Sequence, residues 1–332
     1  MAAISAAAAA DPARRYQLVD LDAAIGISGT PVSINNDGIV AFVTLGGFSL
    51  LYDSNSGQIV QPPPIQQAGI AAISNNDNTA GTNGRTGWFV VDGAAGTMPF
   101  PGGFGSGALA VSDSGLVAGF ITLPGGAFGL GKHHAVIYSP KTQELTDLGT
   151  FGGDSSFARA INDRGQVAGS AEFPSPRLFD KPAHAFRFSD GVMEDLGTFG
   201  GTNSNAFAID AHGRVAGYAE LPGPFFDEPR HAFLLDDDGM HDLGTLPGMT
   251  SSEAQAMNNH GDLVGQSSLG ALNTAHAVLF SRGEIIDLND LAPGTDGFVH
   301  RLAVGINDHG AIIGFSQGPN FTRRSFLLLP VD

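Results

Sequence analysis

Cysteine is missing from the 332-residue chain. Its absence removes disulfides, thiolate catalysis, iron–sulfur clusters and thiolate zinc sites together. Basic residues are scarce: 16 Lys and Arg stand against 33 Asp and Glu, for a formal charge of -17. A field of that sign repels phosphate backbones and anionic headgroups, so neither nucleic acid nor a membrane surface is expected as a partner. No apolar run approaches the roughly 20 residues that span a bilayer. What is abundant is Gly (47) with Pro (19), which suits a turn-rich fold, because each Gly inside a helix costs about 1 kcal/mol. With 42% hydrophobic residues the chain can bury a large core, as one large domain or two ordinary ones.

Residues Met1 to Ala10 are small and apolar and end at Asp11, with no basic residue ahead of them. Residues 1–14 therefore read as a flexible Ala-rich stub, either the remnant of an export signal, an expression scar or a plain disordered tail.

Self-similarity dominates the rest. An aliphatic residue, then Asn, Asp or Ser, two variable residues, Gly, one variable residue, an aliphatic, a small residue and Gly recur from Ile34, Ile73, Val111, Ile161, Ile209, Met257 and Ile306. These anchors stand roughly 38–50 residues apart, a period that belongs to propellers and solenoids. Each copy continues with a strand such as Val167-Ala168-Gly169-Ser170, a third such as His184-Ala185-Phe186-Arg187-Phe188, and a fourth such as Met193-Glu194-Asp195-Leu196. Short apolar runs bounded by Gly, Asp and Asn are strands, so each unit is a four-stranded antiparallel meander.

In Asn162-Asp163-Arg164-Gly165 the first side chain can accept from the backbone that follows it, and the Gly supplies the left-handed residue that ends the turn. Asp77 stands in place of that Gly in the second copy and Phe42 replaces the closing Gly of the first, so those two units are expected to be the least regular. Small residues one and three places before the anchor, such as Ala158 and Ala160 or Ala206 and Ala208, suit strands crowded around an axis. Tyr16 to Leu21 match the fourth-strand pattern and Ser325 to Leu329 the third, so the first strand should complete the last sheet and cover its open edge. The predicted fold is all-β: residues 15–332 form one seven-bladed β-propeller of four-stranded antiparallel blades, closed by the N-terminal strand.

The repeated His-Ala-Phe at His184 and His231, with Asp-Leu-Gly-Thr-Phe-Gly-Gly from Asp147 and again from Asp195, resembles the HAF-repeat family of bacterial extracellular repeat proteins. Four copies, from about His133 to Leu291, carry the resemblance well, and the flanking copies are degenerate. The resemblance implies an extracellular or periplasmic address and brings no catalytic residues with it.

The third-strand histidines do not read as metal ligands. His134, His184, His231 and His276 each precede an Asp (Asp147, Asp195, Asp242, Asp287) by 11 or 13 residues, which sets the pair side by side in a hairpin. A hydrogen bond repeated once per blade is a structural device, and no metal or cofactor is expected.

Meander topology sends the turns between strands one and two, and three and four, to one side. The remaining connections emerge on the other, and only those are long and variable. Loops from Phe120 to His133, Ser170 to Ala183 and Tyr218 to Arg230 make that face lopsided over blades three to five, the place where function tends to sit. Arg177, Phe179 and Asp180 in one loop, and Phe225, Asp227 and Arg230 in the next, mix aromatics with charge, as a sugar-binding surface does; the same aromatics could instead pin each loop. Near the starts of the innermost strands Arg159, Asn205, Glu253, Gln255, His300 and Arg301 break the symmetry of the repeat, and they could line a central pocket or a water-filled channel. The expected function is binding of a neutral or cationic ligand, above all a carbohydrate. The alternatives are a lyase or hydrolase at the same face, with Arg159 stabilising negative charge and Glu172, Glu220 or His133 moving protons, and a scaffold for protein partners. Gly126 to Lys132 has phosphate-loop spacing but lacks the Ser or Thr and the helix that motif needs. Asp236 to Gly239 lacks the spacing of a calcium loop.

Overall fold

The computed structural model describes residues 15–60, 69–102, 104–125, 131–175, 181–223, 228–270 and 274–331. Among them 28 strands form seven four-stranded sheets, with strand neighbours in chain order in six of the seven. Each sheet is a blade and the seven blades form a propeller. The innermost strands are Gly29–Ile34, Gly69–Ile73, Ser106–Val111, Ser156–Ile161, Ser204–Ile209, Ser251–Met257 and Val299–Ile306. In blade seven the outer strand is Arg15–Asp20, which pairs antiparallel with Arg323–Val331, Leu18 lying opposite Leu328. Backbone pairing therefore joins the first described strand to the last and covers the edge of Arg323–Val331.

The core is divided among the junctions between blades. Seven apolar clusters are present, one at each contact between neighbours. At the junction of blades three and four, Ala110 and Ala118 meet Ala158, Val167 and Phe186. The closing junction, between blades seven and one, is filled by Leu21, Ile34, Val40, Phe42, Ile313 and Leu327. Ala158, Ala206, Ala254 and Ala303 are all fully buried, so the small side chains do admit the taper toward the axis.

The turns are built as their sequence predicts, with an added function. Asn162 Oδ1 accepts the N–H groups of Arg164 and Gln166, each at 3.1 Å, and Gly165 takes the left-handed conformation at φ 73°. The Asn162 amide also donates at 2.9 Å to the carbonyl of Asp210 in the next blade. Equivalent bonds run from Asn35 to Ser74, from Asn258 to Asn307 and from Asn307 to Asn35. The Asn thus uses its acceptor within the turn and its donor between blades, which a one-blade reading of the motif misses.

All four proposed His–Asp pairs form, at 2.9 Å for His134–Asp147, 2.8 Å for His184–Asp195, 2.9 Å for His231–Asp242 and 2.5 Å for His276–Asp287. Blades one and two keep the common four-strand order. Asp77 supplies the missing positive φ at 57° and accepts from the Asn35 amide at 2.9 Å. The buried Phe42 ring fills the space over Gly29, where a Cβ would lie 2.3 Å from it.

Candidate functional site

One local feature sets the site. In every innermost strand the residue two places before the anchor is skipped by the pairing register and forms a β-bulge: Val32, Ala71, Leu109, Arg159, Phe207, Gln255 and Val304. Blade seven carries a second bulge at Arg301. A bulge bends its strand and re-aims the extra side chain. Val32, Phe207, Gln255 and Val304 accordingly line an axial hollow of about 290 Å³, whose other walls include the turn residues Asn36, Asp113, Asn162 and Asp308 on the short-turn side. The bulge also explains the closing Gly of the repeat: a Cβ on Gly169 would lie 1.9 Å from the Phe157 carbonyl oxygen.

Aromatic rings run across blades three to five. Phe120 meets His133 and Phe157 edge-on, each at 5.3 Å between centroids, and His133 stacks on Phe157 at 5.3 Å. The Arg159 guanidinium lies 5.9 Å from the Phe157 ring and 5.5 Å from the Phe207 ring, bridging two blades. Phe207 meets Tyr218 at 5.8 Å, and Arg230 covers Tyr218 at 4.9 Å. Arg230 then pairs with Glu253 at 2.5 Å, and Glu253 accepts from Gln255 at 2.8 Å.

The charges around these rings fall into two groups. Lys132, Lys181 and Arg230 each have a carboxylate partner: Asp154 for Lys132 at 3.1 Å, Asp154 and Glu172 for Lys181 at 3.5 Å, and Glu253 for Arg230. Arg159 and Arg301 have no ion-pair partner among the described residues. Their Nε atoms are buried and unbonded, and Asn205 Oδ1 is likewise an unpartnered buried acceptor. Arg301 is held at one point, where Nη1 donates to the Ala275 carbonyl at 2.9 Å. Desolvation by burial pulls both guanidinium groups below their ordinary pKa, with a smaller opposing contribution from Tyr218 at Arg159. Burial lowers His133 too; Glu172 opposes that effect and Lys181 reinforces it. Burial raises the Tyr218 phenol.

Of the residues singled out from sequence, His133, Arg159, Asn205, Arg230, Glu253 and Gln255 come together around this aromatic run, and Glu172 joins them through Lys181. Glu220 lies beside it in a different role. It accepts from the Asn203 N–H at 2.7 Å and the Asn203 amide at 2.9 Å, tying the loop between blades to the loop within blade five. Burial raises its pKa, as does a hydrogen bond with Glu228. His300 does not belong to the site. It is 1% exposed and spans Ser316 and the Ala292 carbonyl, each at 2.7 Å, so it is a satisfied packing residue. A carbonyl can only accept, which puts the proton on Nε2. Arg177, Phe179, Asp180, Phe225 and Asp227 lie outside the described residues. The pinning of the loops is visible at Phe173, which stacks on Phe151 at 4.9 Å and meets His184 at 4.8 Å.

Sequence reasoning missed Phe157, Phe207, Phe120 and Tyr218 as site residues. The signal was present: Phe157 and Phe207 are large residues on innermost strands otherwise built small, and Phe120 and Tyr218 each follow a closing Gly. A larger hollow, about 1510 Å³, opens at the rim over blades five to seven between hairpin turns and outer strands. Neither this hollow nor the axial one is lined by Arg159 or Asn205, whose orphan polar atoms lie by the aromatic run, so that run is the candidate site. Among the described residues no three acidic or imidazole groups converge as metal ligands, and no helix is long and apolar enough to cross a membrane.

No family model matches the chain, and no curated protein is similar to it in sequence. Solved structures share its fold. An acylaminoacyl peptidase of Pyrococcus horikoshii superposes with TM-score 0.57 at 13% identity, over 92% of this chain and 52% of the peptidase. This chain therefore spans about half the length of that enzyme. An oligogalacturonate lyase in complex with manganese superposes with TM-score 0.56 at 14% identity, covering 89% of this chain and 86% of the lyase. An oligogalacturonate lyase from Vibrio parahaemolyticus gives 0.57 at 10% identity, with 90% of each chain covered. At such identities the likeness is one of fold.

Proposed function

We propose that the protein is a carbohydrate-binding propeller whose site lies on the long-loop face over blades three to six. The observation that carries this reading is the aromatic run Phe120–His133–Phe157 and Phe207–Tyr218 interleaved with unused hydrogen-bonding atoms of Arg159 and Asn205. Ring faces receive the apolar side of a sugar, and isolated polar groups fix its hydroxyls. Two of the fold neighbours are named for action on an oligosaccharide, which is compatible with the reading. A glycan array probed with the wild-type chain and with Phe157→Ala and Tyr218→Ala tests it. The expected result is a defined set of hits lost in both variants while both remain folded. An array without hits, or hits indifferent to both substitutions, overturns the reading.

A second reading is favoured by His133, whose pKa burial lowers and which stacks on the ring lying beside Arg159. An imidazole near a guanidinium is a pairing that proton abstraction or hydrolysis can use, the one as base and the other to stabilise negative charge. Mass analysis of each array hit after incubation separates the two: product formation abolished by His133→Gln and Arg159→Gln makes the propeller an enzyme, and unchanged saccharide makes it a binder.

A further inference from the structure

The unpaired guanidinium of Arg159 carries the observations furthest. The chain as a whole is strongly acidic, and three cations around the aromatic run, Lys132, Lys181 and Arg230, each meet a carboxylate. Among the described residues Arg159 meets the rings of Phe157 and Phe207, and its Nε is buried there without a partner. An unpaired charge taken out of water destabilises a fold unless something binds there. The fold does not require it, since Val32, Ala71, Leu109, Phe207, Gln255 and Val304 fill the equivalent bulge positions without charge.

We propose that Arg159 is the receptor for a carboxylate on the ligand, so that the saccharide bound here is acidic, a uronate or another carboxylate-bearing sugar. This rests on the carbohydrate reading above and replaces the neutral or cationic ligand that the net charge suggests. The local field decides, because the acidic partners that would cancel a cation are already engaged elsewhere. The guanidinium carbon lies 5.9 Å and 5.5 Å from the ring centroids of Phe157 and Phe207, and its planar fork of N–H groups matches the two oxygens of a carboxylate. Asn205 Oδ1, on the strand that carries Phe207 and opposite Tyr218 in the sheet register, supplies an acceptor for a sugar hydroxyl.

Calorimetric titration of the full chain with a hexuronate oligosaccharide and with the same oligosaccharide after carboxyl reduction tests the proposal, in wild type, Arg159→Gln and Arg159→Lys. The expected result is about 10-fold or greater preference for the acidic form in wild type, the usual size of a charge-assisted hydrogen bond. Arg159→Gln should bring the two forms to similar affinity, with Arg159→Lys between. The melting temperature of Arg159→Gln should be equal to or above that of wild type, because a desolvated charge has been removed; a fall accompanied by loss of both ligands would make Arg159 a structural residue and overturn the proposal. Equal binding of both forms by wild type overturns the carboxylate assignment and leaves the carbohydrate reading standing. If neither oligosaccharide binds, the carbohydrate reading falls, and acetate titrated against ¹⁵N-arginine-labelled protein decides the rest. A shift of the Arg159 Nε–H signal, identified by its absence in Arg159→Gln, supports the carboxylate site, and no shift overturns it.

Discussion

The side-chain amide of Asn307 donates to the carbonyl of Asn35 at 2.9 Å, joining blades seven and one across 272 positions of sequence. Immediately beside it, Asp308 accepts from the Asn36 amide at 2.8 Å and receives the Asn36 side-chain oxygen on its own N–H at 2.9 Å. The contact that links consecutive blades elsewhere here locks the ring. Replacing Asn307 by Ala removes a buried donor and the turn acceptor together, so the Ala311 N–H loses its acceptor and the Asn35 carbonyl keeps only the Gly38 N–H. The expected cost is about 1–3 kcal/mol in urea unfolding, with faster amide exchange in the Arg15–Asp20 strand than Asn258→Ala produces. Equal exchange in the two variants would show that the closing junction is no different from the others.

Gly169 tests the bulge. A Cβ there would stand 1.9 Å from the Phe157 carbonyl oxygen, whereas one on Gly191 meets nothing within 4 Å and faces only its φ of +81°. Gly169→Ala should destabilise by about 1–3 kcal/mol through overpacking, and it should also displace Phe157 and weaken ligand binding. Gly191→Ala should cost about 1–2 kcal/mol from the left-handed backbone alone and leave binding untouched.

Arg230 and Glu253 test the ion pair beneath the aromatic run. The Glu253 side chain is 9% exposed and that of Arg230 is 42% exposed, so removing the cation strands a buried carboxylate. Arg230→Ala should cost about 1–3 kcal/mol, below the value for a wholly buried pair because half of the Arg is in water. Arg230→Ala combined with Glu253→Gln should recover part of that loss in thermal melts. A strictly additive double variant would mean that the pair is not coupled.

His300 should make stability fall on mild acidification. Burial holds its pKa below the ordinary 6.5, outweighing the Ala292 carbonyl and the charge of Asp287, which act in the other direction. Below about pH 6.5 the unfolded chain takes up a proton that the folded chain refuses, so unfolding is favoured as pH drops through that range. His133 acts in the same sense. Melting temperatures between pH 8 and 5 should decline in wild type and decline less in His300→Gln; parallel curves would contradict the assignment.

The fold was legible because a propeller repeats its instructions. The Asn turn, the His–Asp hairpin lock and the small residues before the anchor each recur with the same spacing, and each has a local cause that one blade displays. Part of the candidate arrangement was legible for the converse reason: Arg159, Asn205, Glu253 and Gln255 violate the repeat and lie around Phe207 and Tyr218. His300 also violates the repeat and is core, since its polarity is spent on Ser316 and Ala292. Symmetry breaking alone does not separate a ligand-facing group from a buried one satisfied by neighbours distant in sequence.

What the amino-acid order by itself determined is the blade: strand number, hairpin turns, the closing partner of the last sheet and the zone where the repeat is broken. These depend on contacts within one period or on a pattern match between the two ends. Only the tertiary structure decided which side chain of each innermost strand is turned by the bulge, which cations find a carboxylate, and that Arg159 finds none among the described residues. Those outcomes depend on distances between residues of different blades, and such distances exist only once the ring has closed.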